Sequence, residues 1–386
     1  MRFLFTSTPA FSQTTPLIPL AQAARLQGHQ VLFAAGGDSL PTAAEAGLPV
    51  LDAAPDADVT APYRRFAATA MEREPTYAET MELLSDAFAE IGETLLPGLE
   101  AAARDWRADV VLYPPMLPAA GLAARAAGSL AVLHEIGLRH PPFPLRGARA
   151  RESGESAAPV PDAGVALGPD SLERFNSMVR PGDAPPYPVL PMRPGTHNGG
   201  GPVPTWALRA GSRPRVLLTM GSVPEHVRAQ GPLLAELAKG AEGALDAEVV
   251  VTTLGTGVGR EPGASGERRR AVDFLPLGAL LPTCAAVVHH GGMSTMLSAL
   301  AAGVPQVIVT TTRGDALSNA EAVRQRGAGV RLEPSACSAG AAGEAVRAVV
   351  RDPAYRAASV RVAAELAARP GPQDVAGRLA RRAAAR

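Results

Sequence analysis

Residues 288 to 295 read Val-His-His-Gly-Gly-Met-Ser-Thr, placing imidazoles, hydroxyls and two residues without a Cβ where an apolar run gives way to a helical pattern. Such a turn can hold a diphosphate. Ala285 to Val288 has the composition of a buried parallel strand and Ser294 to Gly303 has helical spacing, so Gly291 and Gly292 fall at a strand-to-helix junction. Free amides in the first turn of that helix, together with the positive end of its dipole, favour an anion. His290 can add a side-chain hydrogen bond, Ser294 and Thr295 can add hydroxyl donors, and neither glycine blocks approach to the backbone. The alternative is an ordinary βα turn whose histidines are structural.

The elements that must position this turn repeat along the chain. Short apolar runs at Phe3–Thr6, Val31–Ala34, Val50–Asp52, Val110–Leu112 and Ala131–His134 alternate with helical patterns, notably one from Pro16 to Gln27 and a long one from Tyr77 to Arg104. In the long one, Met81, Leu84, Phe88, Ile91 and Leu95 share one face. A second series follows: Val216–Met220, the helix Pro232–Gly240, Val249–Leu254, Val272–Phe274, Ala286–Val288 and Val307–Thr310. Repetition of this kind predicts an α/β chain of two doubly wound, Rossmann-like parallel-sheet domains facing a cleft, with ligands at the carboxyl ends of the strands. Composition divides the chain into residues 1–196, a Pro-, Gly- and Arg-rich linker at 197–213, residues 214–368, and a basic helix within 369–386 that packs back on the first domain. From His140 to Pro169 no periodicity survives, which predicts a long mobile loop.

Composition narrows the function classes. At 386 residues the chain exceeds one hydrophobic core. Its 37 basic and 37 acidic residues balance, which argues against nucleic acid or an acidic membrane surface as partner. Cys284 and Cys337 are the only cysteines, so a cytoplasmic setting is expected and a metal cluster is not. The amino terminus imitates a secretory signal, but Ser7 to Thr15 carries five Ser/Thr residues and Pro9, which breaks the apolar core such a signal needs. No run approaches the ~18 apolar residues of a membrane span. A homodimer is compatible with these features.

Residues 272 to 332 resemble the antibiotic glycosyltransferases, GT-B enzymes that move a sugar, often a deoxysugar, from a nucleoside diphosphate onto a natural-product scaffold. The resemblance rests on Phe274-Leu275-Pro276-Leu277, Leu280-Leu281-Pro282, His289-His290-Gly291-Gly292, Gly303-Val304-Pro305-Gln306, Asn319-Ala320 and Gly327-Ala328-Gly329, in the family's order and spacing. Leu217 to Ser222 and Leu20 to Val31 extend it more weakly into the rest of the chain. The resemblance implies that His290, Gly291, Gly292, Ser294 and Thr295 meet the donor phosphates, that Ser222 approaches them from the opposite strand, and that Phe274 and Leu275 lie along the nucleobase. It implies a dTDP- or UDP-sugar as co-substrate, a lipophilic aglycone as acceptor, no metal or other cofactor, and inversion by direct displacement, the helix amides stabilising the leaving diphosphate.

Three positions depart from the family's pattern. Its first-loop histidine base is replaced in Ser12-Gln13-Thr14-Thr15-Pro16, and Gln13 cannot take a proton, although it can orient an acceptor or hold a water. Its Asp-Gln pair, which grips sugar hydroxyls, is replaced by Asp315-Ala316, a loss that a deoxygenated sugar would feel least. Thr310 to Thr312 stands where a proline is usual. An alcohol acceptor needs a base within about 3 Å. His134 and Glu135, just past a strand, are the candidates, against the alternative of a loop histidine and a solvated carboxylate, with His140 and His226 behind them. A phenol, of pKa about 10, needs less help and can also react through its ortho carbon, so a phenolic or polyketide acceptor joined through oxygen or carbon fits a chain with Gln13. The competing readings are a nucleotide-sugar epimerase of the same architecture and a non-catalytic partner that binds nucleotide sugar. Asp56-Ala57-Asp58 and Gly255-Thr256-Gly257-Val258-Gly259 imitate a manganese triplet and a dinucleotide loop, but each lacks the sequence context its chemistry requires.

Overall fold

The computed structural model describes residues 1–73, 76–146, 158–180, 182–222, 227, 229–256, 268–310 and 314–386. They form two units. The first comprises Met1–Leu167, Val179–Gly195 and Arg369–Arg386, and the second Gly168–Met178 and Thr196–Ala368.

The first unit is built on a seven-stranded sheet in the order β3-β2-β1-β4-β5-β6-β7. Its strands are β1 (Arg2–Phe5), β2 (Gln30–Ala35), β3 (Val50–Asp52), β4 (Val110–Tyr113), β5 (Leu130–His134), β6 (Ala163–Ala166) and β7 (Val189–Pro191). Every pairing is parallel. Phe3, Leu4 and Phe5 of β1 are all buried, because helices cover both faces of a parallel sheet and a central strand then reads as an unbroken apolar run. The helix Tyr77–Asp105 starts at a capping box in which Thr76 and Glu79 satisfy each other's orphaned groups, and it buries Phe88, Ile91, Leu95 and Leu99. Met81 and Leu84, at its start, are only half-buried.

β6 corrects the expectation of a structureless stretch from His140 to Pro169. Ala163-Gly164-Val165-Ala166 pairs with β5 through Val132↔Ala163 and His134↔Val165. Its small side chains give little hydropathy signal, and its burial comes from neighbours rather than from its own bulk. Residues 147–157 of that stretch lie outside the described residues. The final helix, Pro372–Ala384, buries Val375, Ala376 and Leu379, and the main-chain oxygen of Gln373 accepts a hydrogen bond from Nε2 of Gln27 at 2.8 Å.

The second unit holds six parallel strands in the order β10-β9-β8-β11-β12-β13. These are β8 (Arg215–Thr219), β9 (Glu248–Thr252), β10 (Arg269–Val272), β11 (Ala286–His289), β12 (Gln306–Val309) and β13 (Gly329–Leu332). β10 lies upstream of the Val272–Phe274 run expected to form it, since pairing with β9 runs from Arg269↔Val249 to Val272↔Thr252. The ninth strand itself stops at Thr252, ahead of positive φ at Leu254 (49°) and Gly255 (74°). The stretch 197–213, expected from composition as a linker, is packed into this unit. Ala207 is buried beside Leu217, Val250 and Val287, and Asn198 donates to Oγ of Ser298 at 3.1 Å. The short segment Gly168–Met178 also belongs here: the Ser177 amide donates to Oγ of Ser318 at 3.0 Å and the Ser171 amide to Oε1 of Glu365 at 3.0 Å. Among the described residues no helix is long and apolar enough to cross a membrane.

Candidate functional site

β11 ends at His289, whose side chain is fully buried. Its Nδ1 accepts the Gly291 amide at 3.2 Å, so the proton of the neutral ring sits on Nε2 and is donated to Oε1 of Gln306, 2.8 Å away. Burial, reinforced by neighbouring His290, pushes the His289 pKa down to about 3, so this ring stays uncharged and acts as a clasp. On the far side of the turn, Nδ2 of Asn319 donates to the Gly291 carbonyl at 2.9 Å. Gly291 takes a φ of 96°, and a Cβ there would come within 3.0 Å of Ala316. Both facts require glycine.

His290 is half-buried between two further glycines. A Cβ on Gly221 would lie 2.9 Å from its Cε1, and one on Gly292 would lie 2.6 Å from its Nε2. The ring therefore occupies a slot that exists only because both neighbours lack side chains. Gly292 is also the N-cap of the helix Met293–Ala301, and no side chain caps that end. Its first-turn amides, with the half-buried Ser294 and the buried Thr295, form a donor surface beside His290. Ser222 is exposed just after β8, whose Thr219 pairs with His289. Ser222, His290, Gly291, Gly292, Ser294 and Thr295 are thus gathered at the carboxyl ends of two adjacent strands, an arrangement able to hold a multiply charged oxyanion.

The other expected donor contacts occupy the same edge of the sheet in different environments. Leu275 is 2% exposed and belongs to the core, whereas Phe274 is 42% exposed on the loop after β10. Asp315 opens the helix Gly314–Gln325, where its Oδ1 accepts the Ala316 amide at 2.9 Å. The His289–Gln306 clasp, the Asn319 latch and the role of Gly221 were not read from the sequence. A glutamine opening the otherwise apolar Gln306–Val309 strand was the available signal.

In the first unit, Gln13 lies on the short helix Phe11–Thr14, its Oε1 accepting from Oγ1 of Thr8 at 2.5 Å. His134 ends β5 and is fully buried. Its Nδ1 faces the Glu135 carbonyl at 2.7 Å, which puts the ring proton there and leaves a lone pair on Nε2, an atom without a hydrogen-bond partner among the described residues. Burial lowers its pKa to about 4. Glu135 is 4% exposed, its Oε2 accepting the His140 amide at 3.2 Å, and the His140 ring stacks on Phe143 with centroids 5.1 Å apart. Neither His134 nor Glu135 is the solvated surface group of the bland alternative. His226 lies outside the described residues, as do residues 257–259 of the glycine-rich imitation and Thr311 and Thr312. Asp58 of the acidic triplet is paired with Arg64, and among the described residues no three His, Cys, Asp or Glu side chains gather to hold a metal.

Comparison with known proteins gives a consistent result. Residues 22–221 match the N-terminal domain, and residues 236–381 the C-terminal domain, of the erythromycin biosynthesis protein CIII-like family. The chain is 35% identical to the elloramycin glycosyltransferase of Streptomyces olivaceus, over 98% of this chain and 97% of that one. Among solved structures it is similar to the glycosyltransferase SnogD from Streptomyces nogalater, at 30% identity, a TM-score of 0.75 and 99% coverage of both chains. It is also similar to the glycosyltransferase VinC solved in complex with dTDP, at 28% identity, a TM-score of 0.79 and 100% coverage of both.

Proposed function

Since the chain belongs to the erythromycin biosynthesis protein CIII-like family of antibiotic glycosyltransferases and is an enzyme that transfers sugar, we propose that its donor is a dTDP-deoxysugar held by the second unit and its acceptor a phenolic natural-product scaffold held by the first. One observation carries the donor half: the glycine slot aims His290 beside the uncapped amino end of Met293–Ala301. The VinC complex with dTDP supports the choice of nucleotide. Ala316, which offers no hydrogen bond to a sugar hydroxyl, favours a deoxygenated sugar.

In this reading the acceptor oxygen, or an ortho carbon, attacks the anomeric carbon as its bond to the diphosphate oxygen breaks, inverting the centre. The leaving diphosphate takes the electron pair, and the helix amides, His290, Ser294 and Thr295 neutralise its charge without a metal. The acceptor proton goes to water, which the acidity of a phenol permits, because Nε2 of His134 is enclosed by the protein and out of reach of an acceptor oxygen. Gln13 orients the acceptor, and Glu135 holds the His140 segment by accepting its amide.

His290→Ala should weaken thymidine diphosphate binding by about tenfold to a hundredfold, the cost of one hydrogen bond to a charged group, and abolish transfer. Calorimetric titration of the variant checks this, and undiminished affinity would sink the phosphate role.

A further inference from the structure

A second polar recess lies at the opposite edge of the same sheet, where β8, β9 and β10 begin. It is a cavity of about 250 Å³ lined by Trp206, Arg209, Arg213, Arg215, Glu248 and Arg270. At least four residue steps of β8, roughly 13 Å of strand, separate it from the donor turn. Four guanidinium groups line it against one carboxylate, a local excess of positive charge in a chain whose charges balance overall. Glu248 is already committed: its Oε2 accepts from Nε of Arg215 at 2.9 Å and its Oε1 from Nε of Arg270 at 2.6 Å. Arg215 is spent as well, its remaining donors reaching Oγ1 of Thr283 and the Trp206 carbonyl. Arg270 lies over the Trp206 ring, 4.8 Å from its centroid, Arg213 uses Nε on Asp246 at 3.0 Å, and Arg209 has no carboxylate partner among the described residues.

The wall therefore keeps guanidinium N–H donors of Arg209, Arg213 and Arg270, beyond those committed to Glu248 and Asp246, along a concave space. We propose that this recess binds a phosphate-type oxyanion on a small molecule, at a site separate from the donor turn. Bidentate guanidinium forks match phosphate oxygens, and a space of this volume suits a phosphate or diphosphate group rather than a broad protein face. Occupancy would brace the starts of three strands, because a ligand that binds only the folded state stabilises it.

Trp206 reports on the site directly, Trp106 being the only other tryptophan. The full-length Trp106→Phe, His290→Ala variant, with the donor turn disabled, would be titrated with inorganic pyrophosphate and with orthophosphate at constant ionic strength while indole emission is followed. A saturable change with either ion is expected, weakened about tenfold by adding Arg209→Gln, a substitution that breaks no ion pair of the fold. The relative affinities show whether a single phosphate or a diphosphate is preferred. The proposal is overturned if neither ion gives a saturable response, if Arg209→Gln and Arg213→Gln both leave it unchanged, or if a glutamate-rich peptide binds more tightly than either ion.

Discussion

A methyl group at position 292 would stand 2.6 Å from Nε2 of His290, and the imidazole would have to leave its slot. The backbone itself would tolerate the change, since Gly292 has a φ of −62°. Gly292→Ala should therefore separate binding from folding. Thymidine diphosphate affinity should fall about tenfold or more, as one charge-assisted contact is lost, while the midpoint of thermal unfolding moves by less than about 2 °C. Calorimetry and a melting curve on the same preparation check both halves, and an unaltered affinity would mean that the ring does not meet the ligand. The paired histidines of this turn divide their labour: His289 is locked between Gly291 and Gln306, and His290 faces the space beside the helix end. The family resemblance singled out His290 as the phosphate contact and gave His289 no role. Its clasp was illegible, because a buried neutral ring and a phosphate donor carry the same side chain and differ only in what surrounds it.

At the next scale, the helix Gly314–Gln325 braces the turn at Gly291 through the side-chain amide of Asn319, which donates to the Gly291 carbonyl. Asn319→Ala would strand that buried carbonyl, at a cost of about 1–3 kcal/mol. The second unit should lose several degrees of thermal stability, and saturating thymidine diphosphate should restore part of them by holding the turn from the other side. A melting series with and without nucleotide tests this, and an unchanged midpoint would show the latch to be redundant. Elements of this kind were unequally legible. The central strands β1, β4, β8, β9 and β11 were visible as apolar runs because burial on both faces selects such runs. β6 was not, since alanine and glycine carry too little hydropathy to stand out from the irregular stretch around them. Register was also illegible: only pairing with β9 places β10 at Arg269–Val272. In the first unit, the sequence located His134 and Glu135 at a strand end, but their burial arises from packing that no local pattern encodes.

Across the whole molecule, each unit buries one neutral histidine at the end of a strand, His134 in the first and His289 in the second. Burial lowers the pKa of His134 to about 4 and, with help from His290, that of His289 to about 3. As pH falls from about 6.5 the unfolded chain takes up protons that the folded rings refuse, so stability is fully present above that value and is lost toward pH 4. Each ring contributes at most about 1.4 kcal/mol per pH unit in that window. Glu248 acts lower down: burial opposes its charge, the Arg270 and Arg215 guanidiniums override burial and depress its pKa, and its contribution disappears only below the ordinary carboxylate range. Urea midpoints at pH 7.5 and pH 5 should therefore differ in the wild type and differ less in His134→Gln; equal differences would contradict the account. The route of the chain carries a separate consequence. Residues 168–178 belong to the second unit although 179–195 return to the first, and 369–386 finish the first unit after the second has been traversed. During synthesis the first unit stays incomplete until the helix Pro372–Ala384 leaves the ribosome, whereas the second can close earlier. A hybrid enzyme spliced once near residue 196 would inherit a mismatched final helix. Exchanging specificity between relatives calls for grafting residues 369–386 with the amino-terminal half.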